Sequence, residues 1–93
     1  MRTETFDIII IGSGAGGGTM AHALASTSAR ILVLERGDRI PQEAQNWDPE
    51  AVWKDLRYRT TERWRDRRGQ TFRPYTHFCV GGNTKFWGSV LYR

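Results

Sequence analysis

The stretch Gly12-Ser13-Gly14-Ala15-Gly16-Gly17 has residue types and spacing that could do chemistry, and the chemistry is anion binding. Its glycines form the pattern G-x-G-x-x-G. Gly12 permits a tight turn, Gly14 lets the backbone approach a pyrophosphate, and Gly17 lets a helix pack closely on a sheet. A helix that begins here offers free N–H groups and partial positive charge to the anion. Further on, Glu35 is placed to accept hydrogen bonds from ribose hydroxyls. No residue stands out as a catalytic acid, base or nucleophile, and none as a metal ligand.

Such a loop works only if strands and a helix hold it, and the flanking sequence supplies them. The mostly apolar run 6–11 reads as a β-strand, continuous and β-branched as a parallel strand buried on both faces should be. Residues 14–28 read as a helix, with Gly17, Ala21, Leu24, Ala25 and Ser28 on one small-residue face. Gly16, Gly17 and Gly18 lower its helix propensity, so backbone access outweighs local stability there. Residues 30–35 read as a second strand, and a right-handed crossover makes the two strands parallel. On its own G-x-G-x-x-G is a weak signal, and its glycines could mark a mere turn and Glu35 a solvated strand end. With strand, turn, helix, strand and acid in register, the segment reads as a dinucleotide-binding βαβ unit.

The remainder is less regular. Residues 38–47 read as a loop. Asp48-Pro49-Glu50 signals a helix start, a capping acid followed by proline, and predicts a helix to about residue 58 with Val52, Leu56 and Trp53 on its apolar side. Segments 61–65 and 70–73 pair as a hairpin around Arg67-Arg68-Gly69. Residues 76–80 are extended, Gly81-Gly82-Asn83-Thr84 is a second glycine loop, and 86–92 closes the chain. Gly81 and Gly82 could belong to an ordinary loop, and Asn83 and Thr84 could simply cap a turn. His22 is expected on the surface and His77 outside any catalytic role. Cys79 is expected to be a small buried apolar residue, and Trp47, Trp53, Trp64 and Trp87 to pack, with Trp87 as a candidate border of a ligand.

With 93 residues, the chain has fewer strands than a complete dinucleotide-binding domain needs. It reads as the N-terminal portion of such a domain, with a substrate domain and C-terminal remainder elsewhere. The alternative is a stand-alone, non-catalytic nucleotide-binding module. The formal charge of +4 is concentrated at 54–73, where Lys54, Arg57, Arg59, Arg63, Arg65, Arg67, Arg68 and Arg73 outnumber Asp55, Glu62 and Asp66. Interspersed acids argue for a solvated face or a contact with a further domain rather than for nucleic acid. A single cysteine excludes an intrachain disulfide. No segment is long enough to span a bilayer, and a cytoplasmic location is expected.

The first motif continues as Gly17-x3-Ala21-x3-Ala25 and then Ile31-Leu32-Val33-Leu34-Glu35-Arg36-Gly37, which resembles FAD-dependent more than NAD-dependent members of the dinucleotide-binding group. The second loop narrows this: Val80-Gly81-Gly82-Asn83-Thr84-Lys85-Phe86-Trp87-Gly88 resembles the flavin-contacting segment of the glucose–methanol–choline oxidoreductases. That resemblance implies an α/β fold, a Rossmann-like FAD-binding βαβ unit, incomplete, with an added helix and an extended or hairpin segment. It implies FAD held by Gly12, Gly14, Ala15, Gly16, Gly17, Glu35 and Arg36 from the first half and by Gly81, Gly82, Asn83 and Thr84 from the second. Some members attach FAD through a histidine in the second segment. Residues 83–87 contain none, so non-covalent FAD is implied. The implied substrate is a small alcohol or sugar. The family's catalytic histidine has no counterpart here, which predicts that residues 1–93 alone are inactive. Both loops are expected to face one groove at the C-terminal end of the first strand.

Overall fold

A computed structural model of the chain describes residues 1–86. Its first half is a strand–helix–strand unit: β1 (Ile8–Ile11), α1 (Ala15–Leu24) and β2 (Ile31–Leu34). The strands are parallel, with Ile8 opposite Ile31 and Ile11 opposite Leu34. The ladder is extended at both ends, where Asp7 N–H bonds the Arg30 carbonyl and Gly12 N–H the Leu34 carbonyl, at 2.9 and 2.7 Å. The Asp7 carboxylate also accepts the Arg30 N–H at 2.8 Å, which pins the entry of β2 to the start of β1.

Gly12 turns the chain out of β1 at φ 96°, a left-handed conformation that favours glycine. α1 then returns along the sheet at backbone contact distance. A Cβ on Gly17 would lie 1.8 Å from the Gly12 carbonyl oxygen and 3.3 Å from Ile10 Cγ2. Gly17, Ala21 and Leu24 are the half-buried positions of the helix, on the face its spacing predicts. The helix ends at Leu24, short of residue 28, because the Thr27 hydroxyl and N–H both bond the Leu24 carbonyl, at 2.7 and 3.0 Å.

β1 departs from the expectation of burial on both faces. Ile10, under the helix, is buried, whereas Ile9 and Ile11 on the opposite face are 58% and 86% exposed. α1 covers one side of this two-stranded sheet, and nothing among the described residues covers the other.

The predicted helix from Asp48 to about residue 58 is also corrected. Asp48 does cap, accepting the Glu50 N–H at 2.9 Å. The helical stretch is nonetheless a single wide π-type turn, Glu50–Lys54, closed by Asp55 N–H to the Glu50 carbonyl. Leu56 sits at φ 56°, unusual for a residue with a γ-branched side chain, and breaks the run. Ala51 and Val52 are buried there and Trp53 is exposed. Val52 joins Cys79 and Phe86 in the main apolar cluster, with Ile40 and Tyr58 packed against it. Cys79 is buried as expected, and burial pushes its thiol pKa up. Packing does not describe Trp47, which is 87% exposed, whereas Trp64, also exposed, sets its ring edge-on to Phe72 with centroids 6.4 Å apart.

The hairpin forms, with β3 (Trp64–Arg65) antiparallel to β4 (Thr71–Phe72). Asp66 organises its turn, its carboxylate accepting the N–H groups of Arg68 and Gln70, and Gly69 takes φ 80°. Below the hairpin two arginines close the excursion. Arg59 Nη2 donates to the Arg73 carbonyl at 2.6 Å, and Arg73 Nη2 donates back to the Arg59 carbonyl at 3.1 Å. The expected contributions of Trp87 and of the closing segment 86–92 lie outside the described residues, except for Phe86.

Adding a methyl group at Gly17 forces the helix off the sheet. Gly17→Ala is expected to lower the unfolding free energy by about 1–3 kcal/mol or more. Gly16→Ala, whose Cβ meets nothing within 4 Å, is expected to gain about 0.5–1 kcal/mol from helix propensity. Urea denaturation followed by circular dichroism compares the two, and equal midpoints would contradict the close packing.

Candidate functional site

The C-terminal ends of β1 and β2 place Gly12 and Glu35 side by side, and a third segment arrives from the far end of the chain. Residues 78–80 run beside the continuation of β2. Asp38 and Cys79 form a parallel bridge, and Val80 N–H bonds the Asp38 carbonyl at 3.1 Å. This approach needs Gly37, where a Cβ would fall 2.2 Å from the Phe78 carbonyl carbon. The chain then turns at Gly81 and Gly82, both left-handed at φ 93° and 65°. A Cβ on Gly82 would lie 3.2 Å from Gly14 Cα. The two glycine loops therefore meet at the end of β1, as their expected common groove requires. Between them lies a cavity of about 310 Å³, lined by Gly12, Glu35, Arg36, His77, Gly82 and Asn83 among others.

α1 begins at the same end of β1, although residues 14–17 do not line this cavity. Gly14 is the N-cap and makes no side-chain cap, and no acid occupies the first turn. The first helical bond runs from Gly18 N–H to the Gly14 carbonyl at 2.8 Å. The N–H groups of Ala15, Gly16 and Gly17 thus have no partner among the described residues. This arrangement suits an anion.

Glu35 is already well supplied with donors. Its Oε2 accepts the Ser13 hydroxyl at 2.6 Å and the Ser13 N–H at 2.9 Å. Its Oε1 accepts the Gly37 N–H at 2.9 Å. The Ser13 hydroxyl bond, then the Gly37 and Ser13 N–H bonds, lower its pKa to about 2. The carboxylate is therefore ionised, and Oε1 retains acceptor capacity. Arg36 turns away from it: its guanidinium pairs with Glu62 and lies 3.8 Å from the centre of the Phe78 ring.

Asn83 and Thr84 both do what a turn requires. The Thr84 hydroxyl donates to the Gly81 carbonyl at 2.8 Å. Asn83 Oδ1 accepts the His77 N–H at 2.8 Å and lies 3.1 Å from His77 Nδ1. Because that oxygen can only accept, Nδ1 carries the ring proton. His77 is 5% exposed, stacks on Phe86 at 4.0 Å, and its Nε2 is buried without a partner. Burial pushes its pKa down, so the ring stays neutral. His22, in contrast, is exposed. No helix among the described residues is long and apolar enough to cross a membrane, and no group of three or more potential metal ligands occurs among them.

Sequence reasoning missed Ser13. It occupies a variable position of the G-x-G-x-x-G pattern, and besides its bonds to Glu35 its Oγ accepts the Gly81 N–H at 3.0 Å. The one available signal was its type, a hydroxyl inside a glycine loop.

Residues 10–77 match the NAD(P)-binding Rossmann-like domain family, and the chain belongs to it. Its relatives are oxidoreductases. It is 28% identical to paromamine 6'-oxidase of Streptomyces fradiae over 96 residues, covering 97% of this chain and 16% of that protein. It is 47% identical over 36 residues to squalene epoxidase 6 of Arabidopsis thaliana, covering 39% of this chain and 7% of that protein. With long-chain-alcohol oxidase FAO3 of the same plant it shares 45% identity over 31 residues, 33% of this chain and 4% of that protein. The chain thus spans about a sixth or less of these relatives. No solved structure matches it.

A carboxylate whose folded pKa is depressed stabilises the fold above its unfolded value, and loses that contribution as pH falls through the folded value. For Glu35 the loss runs from about pH 4.5 down to about pH 2. Glu35→Gln is expected to remove this part of the acid sensitivity. The difference between wild-type and variant urea midpoints should narrow across that window, and a constant difference would contradict the assigned ionisation.

Proposed function

We propose that this segment binds the ADP side and part of the flavin side of a non-covalent FAD, within an oxidoreductase acting on CH–OH groups of alcohols or sugars. The carrying observation is Gly14. Its φ of −68° and ψ of −167° are open to any residue, and a Cβ there would meet its nearest neighbour, the Gly81 carbonyl oxygen, at an ordinary 3.9 Å. The fold does not demand glycine at this position, whereas a pyrophosphate approaching the helix N-terminus does.

The residues present fit such a group. Ala15, Gly16 and Gly17 present free N–H groups to the pyrophosphate, with Gly12 forming the turn beneath it. Glu35 offers Oε1 to ribose hydroxyls, and its charge opposes the additional phosphate of NADP. Gly81 and Gly82 leave room for close backbone approach beside Gly14, with Asn83 and Thr84 holding their turn. Arg36 contributes charge at the rim rather than a direct bond. FAD supplies hydride acceptance when bound, and the described residues supply position and electrostatics. The match to paromamine 6'-oxidase extends over both glycine loops, which supports the alcohol or sugar reading over a generic nucleotide module. His77, with Nε2 sealed, is unsuited to take a proton from substrate. The base is proposed to lie in sequence beyond this segment.

Gly14→Val is expected to strip FAD from the flavin-loaded protein, while Gly14→Ala melts like the parent and retains less flavin. Glu35→Ala should weaken FAD binding by about 1–3 kcal/mol, the scale of hydrogen bonds to a charged group. Flavin absorbance co-eluting on gel filtration reads both, and full retention in Gly14→Val would sink the assignment. Residues 1–93 alone are expected to support no alcohol-dependent flavin reduction; steady bleaching of added FAD by a simple alcohol would place the base inside this segment.

A further inference from the structure

One hydroxyl joins the three parts of the site. The Ser13 hydroxyl donates its single proton to Glu35 Oε2 at 2.6 Å and accepts the Gly81 N–H at 3.0 Å, bridging 68 residues of sequence. Gly81 is otherwise held by its own turn, in which its carbonyl accepts the Thr84 hydroxyl. We propose that Ser13 is a positioning residue that relays the state of Glu35 to the second glycine loop.

The relay follows from the inventory of protons and lone pairs. A hydroxyl has one proton to donate and two lone pairs to accept with. While the proton lies on Glu35 Oε2, a lone pair of Oγ is left for Gly81. Hydrogen bonds in such a chain strengthen one another, so the carboxylate charge makes Oγ a better acceptor for the Gly81 N–H. Oε2 already receives two donors and Oε1 one. A donor arriving at Oε1 draws charge from the carboxylate, and one arriving at Oε2 displaces the Ser13 proton and turns the hydroxyl. Both events weaken or redirect the bond to Gly81, whose turn lies against Gly14. Its role in sensing a bound nucleotide rests on the dinucleotide reading above; the bond network itself requires no ligand.

Amide hydrogen exchange by NMR tests this, with the Gly12 amide, bonded to the Leu34 carbonyl, as the internal reference for an intact fold. Ser13→Ala is expected to speed Gly81 exchange about fivefold or more, the factor for one lost hydrogen bond. Ser13→Thr should restore protection. Glu35→Gln should also speed Gly81 exchange in the wild-type background, but add nothing in Ser13→Ala. Added ADP should shift the Gly81 amide in wild type and leave it unmoved in Ser13→Ala. Additive effects of the two substitutions, or Gly81 exchange indifferent to Glu35→Gln, overturn the relay. Should Ser13→Ala disturb Gly12, Glu35→Gln and Ser13→Thr still decide the matter. ADP that binds without moving Gly81 overturns the relay and leaves nucleotide binding standing. Failure of ADP to bind, with the exchange results as expected, removes the nucleotide reading and keeps the relay.

Discussion

The approach of Gly17 to the Gly12 carbonyl is the constraint on which the remaining geometry depends. A helix held this close to its preceding strand must begin within a residue or two of the turn. Its N-terminus therefore opens at the end of β1 rather than to one side. The same approach leaves the first helical N–H groups without backbone partners at that end, while the carboxylate that follows β2 bonds Ser13 in the loop. Any side chain at Gly17 would separate these groups, and the site would lose its shape before losing a single polar atom.

The second half of the chain solves a different problem, the return of a distant loop to that point. Gly37 lets residues 78–79 run beside the exit of β2, and the reciprocal bonds of Arg59 and Arg73 to each other's carbonyls close the excursion that begins at the π-type turn. Part of the basic stretch thereby serves the backbone, while Lys54 and Arg57 pair with Glu50 and Glu43. The main apolar cluster of Val52, Cys79 and Phe86 sits in this half. The nucleotide-binding signature and the best-packed region are thus different parts of one chain, joined through Ser13, Gly14 and Gly81.

The βαβ unit was legible because each of its signals is local. Period and glycine spacing act within a few residues, and the terminal acid falls inside the same βαβ unit, 22 residues after Ser13. The hairpin was legible for the same reason, since Asp66 and Gly69 make its turn by themselves. The helix after Asp48 was not, because its cap predicts a start while the stop depends on Leu56 adopting a left-handed conformation that its residue type disfavours. The convergence of the glycine loops could be expected from a shared ligand. The bond from Gly81 to Ser13 could not, because a contact between such distant residues has no periodic trace. The tryptophans misled because aromatic type signals burial on average, whereas Trp47 stays exposed and Trp64 packs only across its own hairpin, edge-on to Phe72.

β1 is four isoleucines long and, among the described residues, hydrogen-bonded along one edge only, with Ile9 and Ile11 exposed on one face. A short, uncharged, β-branched strand with a free edge is a template for pairing with another copy of itself. Within residues 1–86 the segment that prepares the chain for a nucleotide is therefore also an aggregation hazard while it stays uncovered. Asp7 and Arg30, charged residues at the foot of the two strands, are the natural gatekeepers against it. How much of this protein survives its own synthesis is then a question of timing: how soon the isoleucine strand is covered, set against how often two uncovered copies collide.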